Sequence, residues 1–178
     1  TLLTIASSAL VAYGFARFNF PFKKQLFAIL FSTLMLPNSV IIIPRYVLFN
    51  KFGWVDSYMP FWVPALLACY PFFIYQLIQF MRGIPRDLDE SACIDGCGFW
   101  QILLPLMKPA LFSAGLFQFL WTYNDYFNSL IFINSVKKYT ISLALRLSVD
   151  AESVVVWGRV MAMACVAVLP LVLLFFAA

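Results

Sequence analysis

Residues 87–109 read "DLDESACIDGCGFWQILLPLMKP", and this stretch decides how the rest of the chain is read. Four of the eight acidic residues, Asp87, Asp89, Glu90 and Asp95, fall inside it. Pro85 suits the first position of a helix. Asp87, Asp89 and Glu90 then lie in the first turns, where carboxylates favour the positive end of the helix dipole. Gly96 can close that helix as a left-handed cap. A second short helix is expected up to Leu104, before Pro105 and the next apolar run. Two short helices with a glycine joint, outside the hydrocarbon, are thus expected here; composition alone makes them a solvated amphipathic connector.

Working outward, the surroundings are apolar. The chain has 178 residues, 63% of them hydrophobic and 11% charged, with a mean hydropathy of +0.90. A soluble domain carries about 25% charged residues, so this composition belongs in a bilayer. The net charge of +4 comes with no basic stripe, and no nucleic-acid partner is expected. A hydrocarbon core of about 30 Å needs about 20 apolar residues in a helix. Five stretches meet or approach this: 1–16, 25–44, 57–81, 109–136 with Asp125 as its one charge, and 160–178. An all-α polytopic bundle follows, with connectors at 17–24, 50–57, 82–108 and 137–153. Prolines inside the spans (Pro37, Pro44, Pro60, Pro64, Pro71, Pro170) read as kinks that neighbouring helices can satisfy. No alternating pattern suggests a β-barrel.

Charge does not orient the bundle. Arg17, Lys23, Lys24, Arg82, Arg86 and Lys108 flank one face, and Arg45, Lys51, Lys137, Lys138 and Arg146 the other, with Arg159 at a span edge. That balance is too even for the positive-inside rule. Cys93 and Cys97 stand four apart, but zinc without histidine wants four thiolates. Cys69 and Cys165 lie in apolar runs, so no metal is expected. The sequence opens on Thr1 and closes in an apolar run, which reads as a piece of a longer membrane protein without a signal peptide.

The order of residues carries more than composition. "ESACIDG" at 90–96 followed by "ILLPLMKPAL" at 102–111 resembles the EAA loop of permease subunits in bacterial ABC importers. Glu90, Ser91 and Ala92 stand for its first triplet, Gly96 follows at the expected distance with Asp95 just before it, and Ile102, Leu104 and Pro105 match its close. "AYGFARFNFPFKK" (12–24), "STLMLPNSVIIIPRYVLFNKFGWVDS" (32–57), "RGIPRDLDESACIDG" (82–96), "WTYNDYF" (121–127) and "MAMACVAVLPLVLL" (161–174) resemble the carbohydrate-importer branch, maltose and glycerol-phosphate type. There is one departure. Only Cys97 to Gln101 separate Gly96 from Ile102, where the family has nine residues. Either the second helix loses about one turn, or residues are missing from the sequence there.

The resemblance implies the rest. Residues 1–178 would form a single transmembrane domain of about five spans from a six-span permease fold, lacking the first span and the C-terminal tail. Residues 82–104 would be a cytoplasmic coupling loop. Partners would be a second homologous permease, two ABC ATPase subunits that bind ATP and Mg, and an extracytoplasmic solute-binding protein, in the bacterial cytoplasmic membrane. The chain itself would hold no cofactor and no catalytic residue. Coupling would fall to Glu90, Ser91, Ala92, Asp95, Gly96, Ile102 and Pro105.

An ionisable residue within a span is a functional expectation. Trp121, Tyr123, Asn124, Asp125, Tyr126 and Asn128 combine aromatic faces with polar groups as a carbohydrate surface does. The open alternative is an interfacial aromatic belt with Asp125 as a helix cap or ion-pair partner. Two rival classes fare worse. A secondary transporter would show internal repeats and an acidic pair. A membrane enzyme would show clustered histidines or a nucleophile elbow. No G-x-x-x-x-G-K-[ST] loop is present for ATP. The solute is a sugar or oligosaccharide, or a non-sugar such as glycerol phosphate.

Overall fold

The computed structural model describes residues 1–85, 87–88, 99–150 and 157–177, with only the backbone of Phe99, Trp100, Ile102, Leu103, Asp150 and Ala177. The described residues are helical, with no strand among them. The helices are α1 (Leu2–Arg17), α2 (Lys23–Leu34), α3 (Asn38–Lys51), α4 (Met59–Leu66), α5 (Pro71–Arg82), α6 (Phe99–Asn124), α7 (Phe127–Phe132), α8 (Ile141–Asp150) and α9 (Trp157–Ala177), with a 3-10 turn at Val136–Lys138. Among the described residues, α4 with α5 (Met59–Arg82) and Trp157–Phe176 of α9 are long and apolar enough to cross a membrane. The bent pair of α2 and α3 adds a third crossing if counted together. α1 is apolar but shorter. α6 has 26 residues, about 39 Å of helix.

Prolines decide where the apolar stretches break. The expected span at 25–44 is two helices, parted at 35–37. Pro37 has no N–H to continue the ladder and biases Leu36 away from helical geometry. The stretch 57–81 breaks at 67–70, where Ala68 sits at φ 55° and Tyr70 is pulled out of helical geometry before Pro71, the first residue of α5. One expectation is corrected. The helix expected to end at Leu104 runs unbroken through Pro105 and Pro109. Each proline removes only one ladder bond, and Met107 and Ala110 between and beyond them are buried in a core that holds the helix together. A second correction concerns 137–153, expected as connector, of which 141–150 is α8. Thr140 starts it: its carbonyl accepts from Ala144 N–H at 2.9 Å and its Oγ1 from Leu143 N–H at 3.4 Å.

The chain divides into two compact units, residues 1–43 with 61–118, and residues 44–60 with 119–178. In the first, α1 packs along α5. The buried face of α1 is Thr4, Ser8, Ala12 and Ala16, a stripe of small residues at every fourth position. In lipid, where apolar surface gains little by leaving the solvent, such stripes let helix backbones approach and pack by dispersion. Phe73, Ile74, Leu77, Ile78 and Met81 of α5 and Met107, Ala110 and Ala114 of α6 complete this core. Two polar ties add register: Ser7 Oγ donates to the Ala65 carbonyl at 2.6 Å, and Gln118 Nε2 to Thr4 Oγ1 at 3.4 Å. Such bonds contribute about 0.6 kcal/mol each in bilayers.

The second unit is built on aromatics. Tyr46 and Phe49 of α3 meet Phe132 of α7, with Tyr46 stacked on it, and Trp54 packs at a tilt against Phe49. α8 lies against α9, leaving an apolar groove of about 400 Å³ lined by Ile141, Ala144, Leu145, Ala162, Met163, Val166 and Ala167. Val166, Leu169, Leu173, Phe175 and Phe176 of α9 are exposed, as suits a helix whose solvent is lipid.

Candidate functional site

The centre of the acidic loop, including Asp89, Glu90, Ser91, Ala92, Asp95 and Gly96, lies outside the described residues. Its flanks are described: Met107 of α6 belongs to the same core as Met81 at the end of α5. Ile102 is in the backbone of α6, and Pro105 is exposed in its second turn. The connector 17–24 reaches that end of α5. Arg17 Nη1 donates to the Ile84 carbonyl at 3.2 Å. The Arg82 guanidinium lies over the Phe27 ring, 4.9 Å from its centre. Lys23 Nζ donates to the Phe18 carbonyl at 2.7 Å. Cations that are spread through the sequence are thus gathered beside the loop.

The polar aromatic segment 121–128 is divided in its roles. Asp125 follows the end of α6 and caps α7: its Oδ1 accepts from Asn128 N–H at 3.1 Å, and its Oδ2 from Asn128 Nδ2 at 2.7 Å. Ser129 Oγ donates to the Asp125 carbonyl at 2.9 Å. Asn128 Oδ1 is buried without a partner among the described residues. Tyr123 donates its hydroxyl to the Ala167 carbonyl of α9 at 2.8 Å, and Asn124 Nδ2 turns back to Leu120. Trp121 and Tyr126 are exposed. The fold therefore joins Asp125 with Asn128, commits Tyr123 to α9, and sets the Tyr126 ring edge-on to Phe127.

Asp56 is the residue that sequence reasoning passed over as the end of a connector. It ties the turn after α3 to the segment after α7. Its Oδ1 accepts from Asn134 N–H at 3.0 Å and Ser135 N–H at 2.8 Å, and its Oδ2 from Ser135 Oγ at 2.5 Å. Lys138 Nζ pairs with the carboxylate at 3.2 Å and also donates to the Asp56 carbonyl. Asp56 N–H donates to the Phe132 carbonyl at 2.8 Å. The Ser135 hydroxyl, then its N–H, and further the Asn134 and Lys138 donors, hold this carboxyl well below the usual carboxylate range. Asp56 adopts φ 59°, and Gly53 turns the chain at φ 66° just before it. The one available signal was chemical: an acid beside a glycine turn in a chain with few charges.

Apolar helices broken at prolines, with one charged loop returning to a shared core, define a multi-pass helical membrane protein. The fold matches a bacterial ABC transporter involved in the import of alginate, with a TM-score of 0.80 over 99% of this chain and 69% of that one, at 19% identity. The pattern of the binding-protein-dependent transport system inner membrane components matches residues 5–178, and the chain belongs to that family. It is 29% identical over 178 residues to the trehalose/maltose transport system permease protein MalG of Thermococcus litoralis, covering 98% of this chain and 64% of that one. It is 33% identical over 174 residues to the sn-glycerol-3-phosphate transport system permease protein UgpE of Brucella abortus, covering 95% and 61%. It is 35% identical over 144 residues to the alpha-glucoside transport system permease protein AglG of Rhizobium meliloti, covering 76% and 38%. The chain thus spans less than two thirds of the length of these relatives.

Proposed function

We propose that the chain is a transmembrane permease subunit of a binding-protein-dependent ABC importer, moving a carbohydrate across the bacterial cytoplasmic membrane. The family match running through the acidic loop carries this reading. A second permease completes the pore, a solute-binding protein delivers the sugar outside, and two ATPase subunits hydrolyse ATP below. The 82–104 loop docks on those ATPases. Its carboxylates make charge-assisted hydrogen bonds to arginines on the partner, with Glu90 the principal contact, Ser91, Asp95, Ile102 and Pro105 framing it, and Ala92 and Gly96 allowing close approach. Closure of the ATPases then shifts the permeases between inward-facing and outward-facing states. Trp121, Tyr123, Asn124, Asp125 and Asn128 line the solute path. Asp125 is the only charge in 109–136. A carboxylate accepts from sugar hydroxyls but repels a phosphate, which favours a neutral sugar over glycerol phosphate.

Glu90→Lys tests the docking. In the assembled complex, one close like-charge contact costs several kcal/mol. ATPase subunits should therefore fail to co-purify while the permease stays inserted. Undiminished co-purification and uptake would remove Glu90 from the coupling role.

A further inference from the structure

We propose that Arg17 is a positioning residue for coupling: it fixes where the chain leaves α5 for the loop, and it carries displacement of that exit into α1. The second half rests on the docking reading above; the first does not. Arg17 sits in the last turn of α1 and donates to the Ile84 carbonyl, 67 positions away in sequence. Its Nε and Nη2 are also shielded from solvent. A buried guanidinium must keep its hydrogen bonds, because a charged donor that loses one is costly to leave unpaired.

The acceptor is equally constrained. Gly83 N–H bonds to the Gln79 and Phe80 carbonyls, and Ile84 N–H to the Met81 carbonyl. A Cβ at Gly83 would lie 3.3 Å from the Phe80 carbonyl oxygen, so a side chain there would crowd the turn's own backbone. The Ile84 side chain packs on the core that holds Phe73 and Met81. Arg17 thus grips a rigid exit turn, and α1 answers as one body because its small-residue stripe packs along α5. The neighbouring Lys23 and Arg82 serve other partners, the Phe18 carbonyl and the Phe27 ring. The parallel ends of α1 and α5 are bound at one carbonyl.

The experiment uses the full-length chain in its assembled complex, with native cysteines replaced. A nitroxide is placed at Leu88, exposed on the loop side of the turn, and a control nitroxide at Val136. Mobility at Leu88 should rise in the order wild type, Arg17→Lys, Arg17→Gln, because lysine keeps the charge but loses the planar donor fork. The Val136 spectrum should not change. Co-purifying ATPase should fall about tenfold in Arg17→Gln, the scale of one charged hydrogen bond, and recover in part in Arg17→Lys. An unchanged Leu88 spectrum in Arg17→Gln overturns the proposal. If that variant fails to insert, a wild-type Leu88 spectrum in Arg17→Lys overturns it. If Leu88 is mobilised while Glu90→Lys still retains the ATPases, the positioning stands and the coupling role falls. If Glu90→Lys releases them and Arg17→Gln changes nothing, the docking stands and Arg17 is excluded.

Discussion

Asp125 and Asp56 both serve as hydrogen-bond acceptors, but their replacements should part company. Asp125→Asn keeps an acceptor for the Asn128 N–H and loses the charge. We expect normal assembly with weakened uptake in membrane vesicles, since on the proposed solute path the solute hydroxyls would lose a charged acceptor. Unchanged uptake across a panel of neutral sugars would leave Asp125 as a cap and no more. Asp125→Ala removes the cap as well, at about 1 kcal/mol, and should lower thermal stability. Asp56 carries a different signature. Its carboxyl is held below its ordinary value, so its contribution is complete above about pH 4 and fades only as pH falls toward the folded value. The difference in unfolding temperature between wild type and Asp56→Ala should therefore stay constant from about pH 5 to about pH 8. A difference that changed across that window would mean the carboxylate titrates there. Asp56→Asn should be milder than alanine, because asparagine tolerates the left-handed backbone at this position.

The helices of this protein hold together by fit more than by grease. The fully buried face of α1 is Thr4, Ser8, Ala12 and Ala16, larger side chains such as Ile5, Val11 and Phe15 pack at its margins, and Leu10 is exposed. Ala12→Leu should force the two helices apart, at about 1–3 kcal/mol, and lower the midpoint of thermal unfolding in detergent. Leu10→Ala, on the exposed face, should leave it unchanged. Equal effects at the two sites would mean that the α1–α5 seam is not where the first unit draws its stability. The small-residue stripe was open to view in the sequence at every fourth position. It passed unread because apolar runs were judged by length and charge, which ignore which face is small. α8 was missed for a related reason. Its ten residues are too short to read as a span, and the Thr140 cap at its start is a local signal inside a segment read as connector.

The topology proposed for the whole molecule places the 82–108 loop in the cytoplasm and the segment after α7 outside. Cysteine labelling of intact cells tests this directly. With the native cysteines replaced, a cysteine at Gln101 should resist a membrane-impermeant thiol reagent, and one at Val136, exposed beside the Asp56 knot, should react. The reverse pattern would invert the topology and remove the docking model with it. The clustering of Arg17, Lys23 and Arg82 at the loop end of the first unit agrees with a cytoplasmic face, where basic residues collect.

Composition and the order of apolar runs were enough to require helices in a bilayer, since hydrocarbon offers backbone groups no partner outside their own segment. The order of residues from Glu90 to Gly96 and from Ile102 to Pro105, with the motifs at 12–24, 32–57, 121–127 and 161–174, was enough to reach the family despite the shortened gap after Gly96, because such motifs are local and keep their order. Apart from local features such as the Thr140 start of α8, what remained for the tertiary structure is long-range. The bonds from Arg17 to Ile84, from Tyr123 to Ala167 and from Asp56 to Ser135 join residues 67, 44 and 79 positions apart. Nothing local marks such partners: each donor or acceptor is satisfied only after separate helices have packed. The continuity of α6 through two prolines was decided in the same way, by a core that makes the unbroken helix cheaper than the break its sequence suggests.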